Sequence, residues 1–209
     1  MTAKQARGAD GETGETGEPG RPPIPERPLI RGERIWLRPV EERDLPAYVA
    51  NINDTEVGGP AGYRWPQSVE QARKWLARMM ERTERDDGFY FAVCEIGDDR
   101  FIGTTWFKEI NWLDGATEFA IFMDRAHIGS GWGTDVARTM VDFGFETLRL
   151  ERIWLFASAD NSRALRSYEK VGFVREGVVR KAVQRDGELI DGVTMAILRE
   201  DWLAARQKR

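Results

Sequence analysis

Two stretches decide the fold: Ile128-Gly129-Ser130-Gly131-Trp132-Gly133-Thr134, and further on Asn161-Ser162-Arg163-Ala164-Leu165-Arg166-Ser167-Tyr168-Glu169-Lys170-Val171-Gly172-Phe173. The first places glycine at alternate positions and leads into an apolar stripe, Val136, Met140, Val141, Phe143 and Leu148, which predicts a helix over 131–148. Glycines there let backbone approach a ligand closely, and the free N–H groups of a helix start face an anion. A pyrophosphate suits such a cradle. The spacing is neither a Rossmann fingerprint nor a Walker loop, because no lysine follows the last glycine. Taken alone, the turn reads equally as a glycine-rich turn with no ligand. The second stretch opens a short helix at Asn161 and Ser162, followed by Tyr168 about two turns on. That tyrosine is core packing, or a phenol held beside a reacting group.

Outward from these stretches, the chain alternates in a regular way. A strand over 33–40 precedes a helix over 41–53, and residues 54–66 form a turn-rich loop holding Tyr63 and Trp65. The loop is either a substrate lid or a segment pinned to the core by Trp65. Ser68, with Gln71 three positions on, caps a second helix. Three strands follow at hairpin spacing over 89–96, 100–110 and 116–124. After the glycine turn and its helix come a strand over 152–158, the Asn161 helix, two strands over 173–183 and 188–198, and a basic, partly helical tail over 201–209. The order β-α-α-β-β-β-α-β-α-β-β predicts an α/β (α+β-like) domain. It has a mixed, mostly antiparallel sheet of about seven strands with helices on both faces.

Bulk properties narrow the function. The 209 residues give one domain, expected over 29–209, large enough for a substantial core. Residues 1–28 lack apolar periodicity. Their glycines recur every third position from Gly8 to Gly20, a collagen-like pattern too short and proline-poor for a triple helix, so a disordered tail is expected. The net charge of −4 argues against a general nucleic-acid grip. One cysteine, Cys94, excludes an internal disulfide and reads as a small buried hydrophobe. One histidine, His127, and no Cys/His spacing argue against a metal site. No apolar run approaches a membrane span and no secretory signal is present, so a cytoplasmic protein is expected.

Together the two stretches resemble the GNAT superfamily of acyl-CoA-dependent N-acetyltransferases, nearest its ribosomal-protein N-terminal and polyamine acetyltransferase branch. The likeness rests on Gly129-Ser130-Gly131-Trp132-Gly133-Thr134 and on Asn161-x-x-Ala164-x-x-x-Tyr168-Glu169-Lys170-x-Gly172-Phe173. It extends from about Glu33 to Trp202, and the element order matches. The resemblance implies two parallel strands splayed around the pantetheine arm of acetyl-CoA, one ending at Met123 and one near Ser158. It implies that backbone amides of Gly129, Ser130, Gly131, Trp132, Gly133 and Thr134 hold the pyrophosphate. Asn161 would bond the pantetheine arm, and Arg163 or Arg166 would meet the ribose phosphate. Tyr168 would protonate the departing thiolate. Ile128 departs from the family's usual Gln or Arg, and Trp132 is bulkier than usual and expected to narrow the cleft.

The chemistry adds candidates of its own. An amine attacks a thioester only when unprotonated, so a base is needed. Glu118, on the strand leading to the turn and half-buried by Phe119 and Trp106, is the best candidate, with substrate anchor or plain surface charge as alternatives. The backbone N–H of Phe122 or Met123 is the candidate to polarise the thioester carbonyl. Glu109 and Asp191 are weaker acceptor-side candidates. Acetyl transfer to a protein N-terminus, polyamine, aminoglycoside-like amine or amino-acid-like metabolite is the leading reading. A non-catalytic acyl-CoA-binding sensor or scaffold is the alternative, and a homodimer stays open.

Overall fold

The computed structural model describes residues 24–26, 28–59, 62–63 and 65–207. The tail expected over 1–28 lies almost wholly outside the described residues. Eight strands form one sheet in the order β1-β2-β3-β4-β5-β6-β8-β7. β1 (Ile30–Arg31) and β2 (Ile35–Pro39) lead to a 3-10 turn (Glu42–Asp44) and α1 (Leu45–Ile52). α2 (Val69–Glu84) precedes the meander β3 (Gly88–Glu95), β4 (Phe101–Asn111) and β5 (Ala116–Met123). A second 3-10 turn (Arg125–His127) enters α3 (Trp132–Asp142). Then follow β6 (Arg152–Ser158), α4 (Ser162–Val171), the hairpin β7 (Val174–Arg185) and β8 (Glu188–Leu198), and α5 (Arg199–Gln207).

The sequence-derived order holds, with three differences. The two-residue β1 raises the sheet from about seven strands to eight, pairing Ile30 with Leu37. The first predicted helix begins as a 3-10 turn, where Glu41 and Asp44 make a reciprocal capping box. The helix expected over 131–148 stays α-helical only to Asp142 and widens to a π turn over Phe143–Thr147. There Phe143 stacks on Phe107, ring centroids 6.4 Å apart, while Phe145 turns into the core against Trp202. Gly144 lets this turn press on the sheet, since a Cβ would stand 2.7 Å from Ile153 Cδ1. One extra residue in the turn lets both aromatics reach apolar surface.

The sheet separates two cores. One, against α3, α4 and α5, holds Phe107, Phe119, Met140, Ile153, Leu155 and Met195. The other, against α1 and α2, holds Trp36, Leu45, Tyr48, Leu76, Phe101 and Phe122. Alternation along β5 therefore sends Phe119 and Met123 to the first face and Phe122 to the second. Cys94 is buried, its thiol directed at the Asp99 carbonyl 3.7 Å away, and burial pushes its pKa up to about 12. It is the inert core residue expected. No helix among the described residues is long and apolar enough to cross a membrane.

A buried ionic knot fixes the α1 end of the sheet. Arg38 on β2 is 7% exposed. Its guanidinium donates to both carboxylate oxygens of Asp44, at 2.7 and 2.8 Å, and to Asp99 Oδ1 at 2.5 Å. It also donates to the Pro39 and Asp99 carbonyls. All five of its N–H donors are thus used. Arg43 adds a 2.5 Å contact to Asp99. The knot joins β2, the turn before α1, and the β3–β4 turn.

Candidate active site

β5 and β6 are the only parallel neighbours in the described sheet, and they pair over just three positions: Ala116 with Arg152, Thr117 with Ile153, and Glu118 with Trp154. Beyond that point β5 stays with β4 as far as Met123 opposite Gly103, and β6 stays with β8 as far as Ser158 opposite Gly192. The two strands are drawn apart by their other neighbours. A cavity of about 690 Å³ opens between them. Its walls include Phe122, Met123, Ile128, Gly129, Asn161 and Tyr168.

The orientation of β5 decides which amides face the gap. Asp124 N–H donates to the Ile102 carbonyl on β4 at 2.9 Å, and the Ala120 carbonyl accepts from the Thr105 hydroxyl at 3.0 Å. Even-numbered residues thus turn their main chain to β4, and Phe119, Ile121 and Met123 turn theirs to the gap. Of the two amides expected to polarise a carbonyl, Met123 is oriented for it. The Phe122 main chain belongs to the β4 ladder, and its side chain lines the opposite face.

At the far end of the gap the glycine turn winds into α3. Gly129 and Gly131 have φ of +86° and +90°, which glycine adopts without strain. Gly131 is the helix N-cap and supplies no side-chain cap. Its carbonyl accepts from Thr134 and Asp135, while the N–H groups of residues 129–133 have no partner among the described residues. Open space surrounds Gly129 and Gly133, where an added Cβ would meet nothing within 4 Å. An anion would find unbonded amides and a helix dipole there. The Ser130 carbonyl is turned away and accepts from Arg34 Nη1 at 3.0 Å. Thr134 points its hydroxyl to Ser167 on α4, 2.5 Å away.

Trp132 does not narrow the cleft. It is buried in the α3 core, edge-on to His127 and covered by the Arg34 guanidinium 3.7 Å from its ring centroid. Its place in the first helical turn, one and two turns before Val136 and Met140, sends it inward. Only its amide remains at the turn.

α4 closes the same side of the gap. Asn161 is its N-cap, with Oδ1 accepting from Ala164 N–H at 3.2 Å. Its Nδ2 has no partner among the described residues and is available to donate. Gly172, at φ +114°, ends the helix. Tyr168 packs edge-on against Phe119 (6.1 Å) and against Phe173 (5.8 Å). Burial pushes its pKa up to about 12, so the phenol is protonated at neutral pH. Its hydroxyl bonds to no described residue. Arg163, Arg166 and Lys170 stand exposed along the cavity wall, giving it positive charge.

Glu118 lies on the other face of the sheet. It is the last β5 residue paired to β6, so it sits where the strands begin to part. Its carboxylate is 2.9 Å from the Lys108 ammonium on β4. Lys108 is the partner that sequence reasoning missed, because their cross-strand register depends on a bulge between Lys108 and Asn111. Of the weaker candidates, Glu109 sits at that bulge with φ +55°, outside the cavity wall. Asp191 accepts from Lys181 N–H at 2.8 Å and holds the irregular middle of β7. Neither joins the site. The loop over 54–66 is anchored by Val57 and by Tyr63, whose hydroxyl meets that of Tyr48 at 2.6 Å. Trp65, the pin in one of the two readings of this loop, is 67% exposed.

Comparison with known proteins places this geometry. A family model described as an acetyltransferase (GNAT) domain matches residues 34–174. The chain is 33% identical over 180 residues to a probable N-acetyltransferase, YjcK, of Bacillus subtilis (strain 168), covering 83% of this chain and 98% of that one. It is 26% identical over 170 residues to spermidine N(1)-acetyltransferase of Vibrio cholerae serotype O1, covering 81% and 96%. Among solved structures, the Vibrio cholerae spermidine N-acetyltransferase in complex with CoA and spermine shares the fold, with a TM-score of 0.74 at 24% identity over 81% of this chain and 98% of that one.

Proposed function

Since this chain belongs to the GNAT family of acetyltransferases, we propose that it moves an acetyl group from acetyl-CoA to a primary amine by direct attack within a ternary complex. One observation carries the reading: β5 and β6 part after Glu118 and Trp154, opening the sheet from one face to the other. The glycine turn and Tyr168 lie on the α3–α4 side of that opening, and Glu118 on the other.

The parts divide the work. Unbonded amides over 129–133 receive the pyrophosphate, and Ile128 costs little there because the cradle is backbone. Asn161 Nδ2 and the outward main chain of β5 bond the pantetheine arm, and Arg166 meets phosphate at the rim. The Met123 N–H polarises the thioester carbonyl. The amine enters from the Glu118 face and forms the new C–N bond as the C–S bond breaks. The departing thiolate takes a proton from the Tyr168 hydroxyl, and the amine releases its own to Glu118 or to water. The Vibrio cholerae relative named for spermidine supports an amine acceptor.

The test is an amine panel scored by release of CoA thiol, run beside a melting curve. Acetyl-CoA is expected to raise Tm by mass action, and at least one primary amine to release thiol in proportion to acetylated product. No Tm shift at millimolar acetyl-CoA would sink the cofactor assignment. Glu118→Gln is expected to lower kcat by about 100-fold and remove the acidic limb of its pH profile. An unaltered limb would show that the amine proton leaves by another route.

A further inference from the structure

A second cavity, of about 390 Å³, lies between α1 and α2, beside Gly62, Tyr63 and Trp65. It is lined by Tyr48, Tyr63, Trp65 and Trp75, and by Lys74 and Arg78 among others. Tyr48 and Trp75 stack at 4.6 Å, 12° from parallel, and make an aromatic floor. Trp65 stands at the rim with most of its indole in solvent. Lys74 and Arg78 are four residues apart and so share one face of α2. Arg78 has no ion-pair partner among the described residues. The nearest acid to Lys74 is Glu70 at 4.0 Å, and Glu70 is already held by Arg73 at 2.5 Å. Among the described residues no carboxylate lines the cavity.

Aromatic walls accept a flat ring, and two cations with no acid beside them favour an anion and repel a cation. The acceptor face of the acetyl-transfer cleft differs in carrying carboxylates, Glu118 paired with Lys108 and Glu56 paired with Arg125. Gly62 lines both cavities. Its φ is +95° and a Cβ there would meet nothing within 4 Å, so at this residue no side chain separates them. Tyr48 also packs on Phe122 of the cleft, at 5.5 Å, so the two floors are continuous.

The geometry points to the second cavity as the subsite for the far end of the acceptor, and to a zwitterionic acceptor: a primary amine at one end, an aromatic ring with a carboxylate at the other. This rests on the acetyl-transfer reading of the cleft. The amine sits at Glu118, the linker crosses Gly62, and the ring lies against Trp75 and Trp65 with its carboxylate at Arg78 and Lys74. A polyamine, cationic at both ends, fits only the cleft.

Two measurements test it. The first follows the tryptophan indole N–H signals of the full chain during titration with phenylacetate, phenethylamine or acetate. Phenylacetate is expected to bind about tenfold more tightly than phenethylamine, acetate not at all, and Arg78→Glu to abolish or reverse the preference. Lys74→Glu serves as the second variant, and both charges are at the surface, where reversal leaves the fold intact. No binding, or a preference that ignores the sign at residue 78, overturns the subsite. The second compares acetylation of Gly-Gly-Tyr with that of its C-terminal amide. The free acid is expected to have a KM about tenfold lower, a difference lost in Arg78→Glu. Equal KM values overturn the acceptor assignment. Phenylacetate binding with neither peptide acetylated, while other amines are, overturns it as well. Absence of all transfer with phenylacetate binding intact would locate the failure in the cleft instead.

Discussion

Tyr168→Phe is expected to lower kcat for acetyl transfer by about 100-fold or more and to leave the Kd of acetyl-CoA within a factor of about two. The ring is retained, so its edge-on contacts with Phe119 and Phe173 survive, and with them the shape of the cleft. Only the hydroxyl is lost. That group is protonated at neutral pH, because burial holds its pKa up at about 12. A thiolate leaving group needs a proton as the C–S bond breaks, and the Tyr168 hydroxyl, bonded to no described residue, is free to give one. The effect therefore falls on kcat and kcat/KM alike. The sign of a second consequence follows from the same burial. The unfolded tyrosine titrates near 10 and the folded one near 12, so this group's contribution to stability is whole below 10 and declines as pH rises from 10 to 12. The variant escapes that share of alkaline destabilisation. Single-turnover kinetics with saturating acetyl-CoA check the first claim, and an unchanged rate would end the acid role.

The second large effect is on stability. Arg38→Met is expected to destabilise the chain by about 3–5 kcal/mol, because it removes one member of a buried ionic knot and strands the others. Asp44, 3% exposed, loses both guanidinium contacts, and Asp99 keeps Arg43. Methionine fills the volume, so the loss reports the uncompensated carboxylates more than a cavity. In a chain of 209 residues this corresponds to a Tm lower by roughly 10 °C. Arg38→Met combined with Asp44→Leu should recover much of it, since both buried charges then go together. Calorimetry on the single and double variants decides the matter. A drop of under about 2 °C in the single variant would mean that the knot is neutral.

Much of this was legible in the sequence because the signals were local. Glycine spacing, the Ser68 and Asn161 caps and the hairpin turns mark boundaries within a few residues, and the element order follows from them. Trp132 was legible in principle too: its four-residue spacing from Val136 and Met140 places it on the inner stripe of α3, and only its bulk suggested the cleft. Other features depend on register between distant segments. Lys108 meets Glu118 through a bulge, and Arg38 meets Asp99 across the β2–β3 pairing, so neither contact leaves a trace in spacing. Trp65 shows a further limit: an aromatic in a loop reads as an anchor, yet Tyr63, two residues earlier, takes the buried place beside Tyr48. The glycine turn and Asn161 stand out because they sit at helix starts, whereas Tyr168 lies inside α4 and Glu118 inside β5, so their proposed roles rest on the family resemblance and on the chemistry an amine needs.

The three-residue seam between β5 and β6 has a meaning for folding. The strands on the β5 side, β1 to β5, pair antiparallel with sequence neighbours, whereas the seam joins segments separated by the whole of α3. Local hairpins close quickly, and a parallel crossover must wait for its helix. The seam therefore couples the meander to the β6–β8 half through few backbone pairs, and the core packed under both supplies the rest. Amide protons of the two halves should exchange with different opening free energies, and a molecule lodged across the gap would merge them into one.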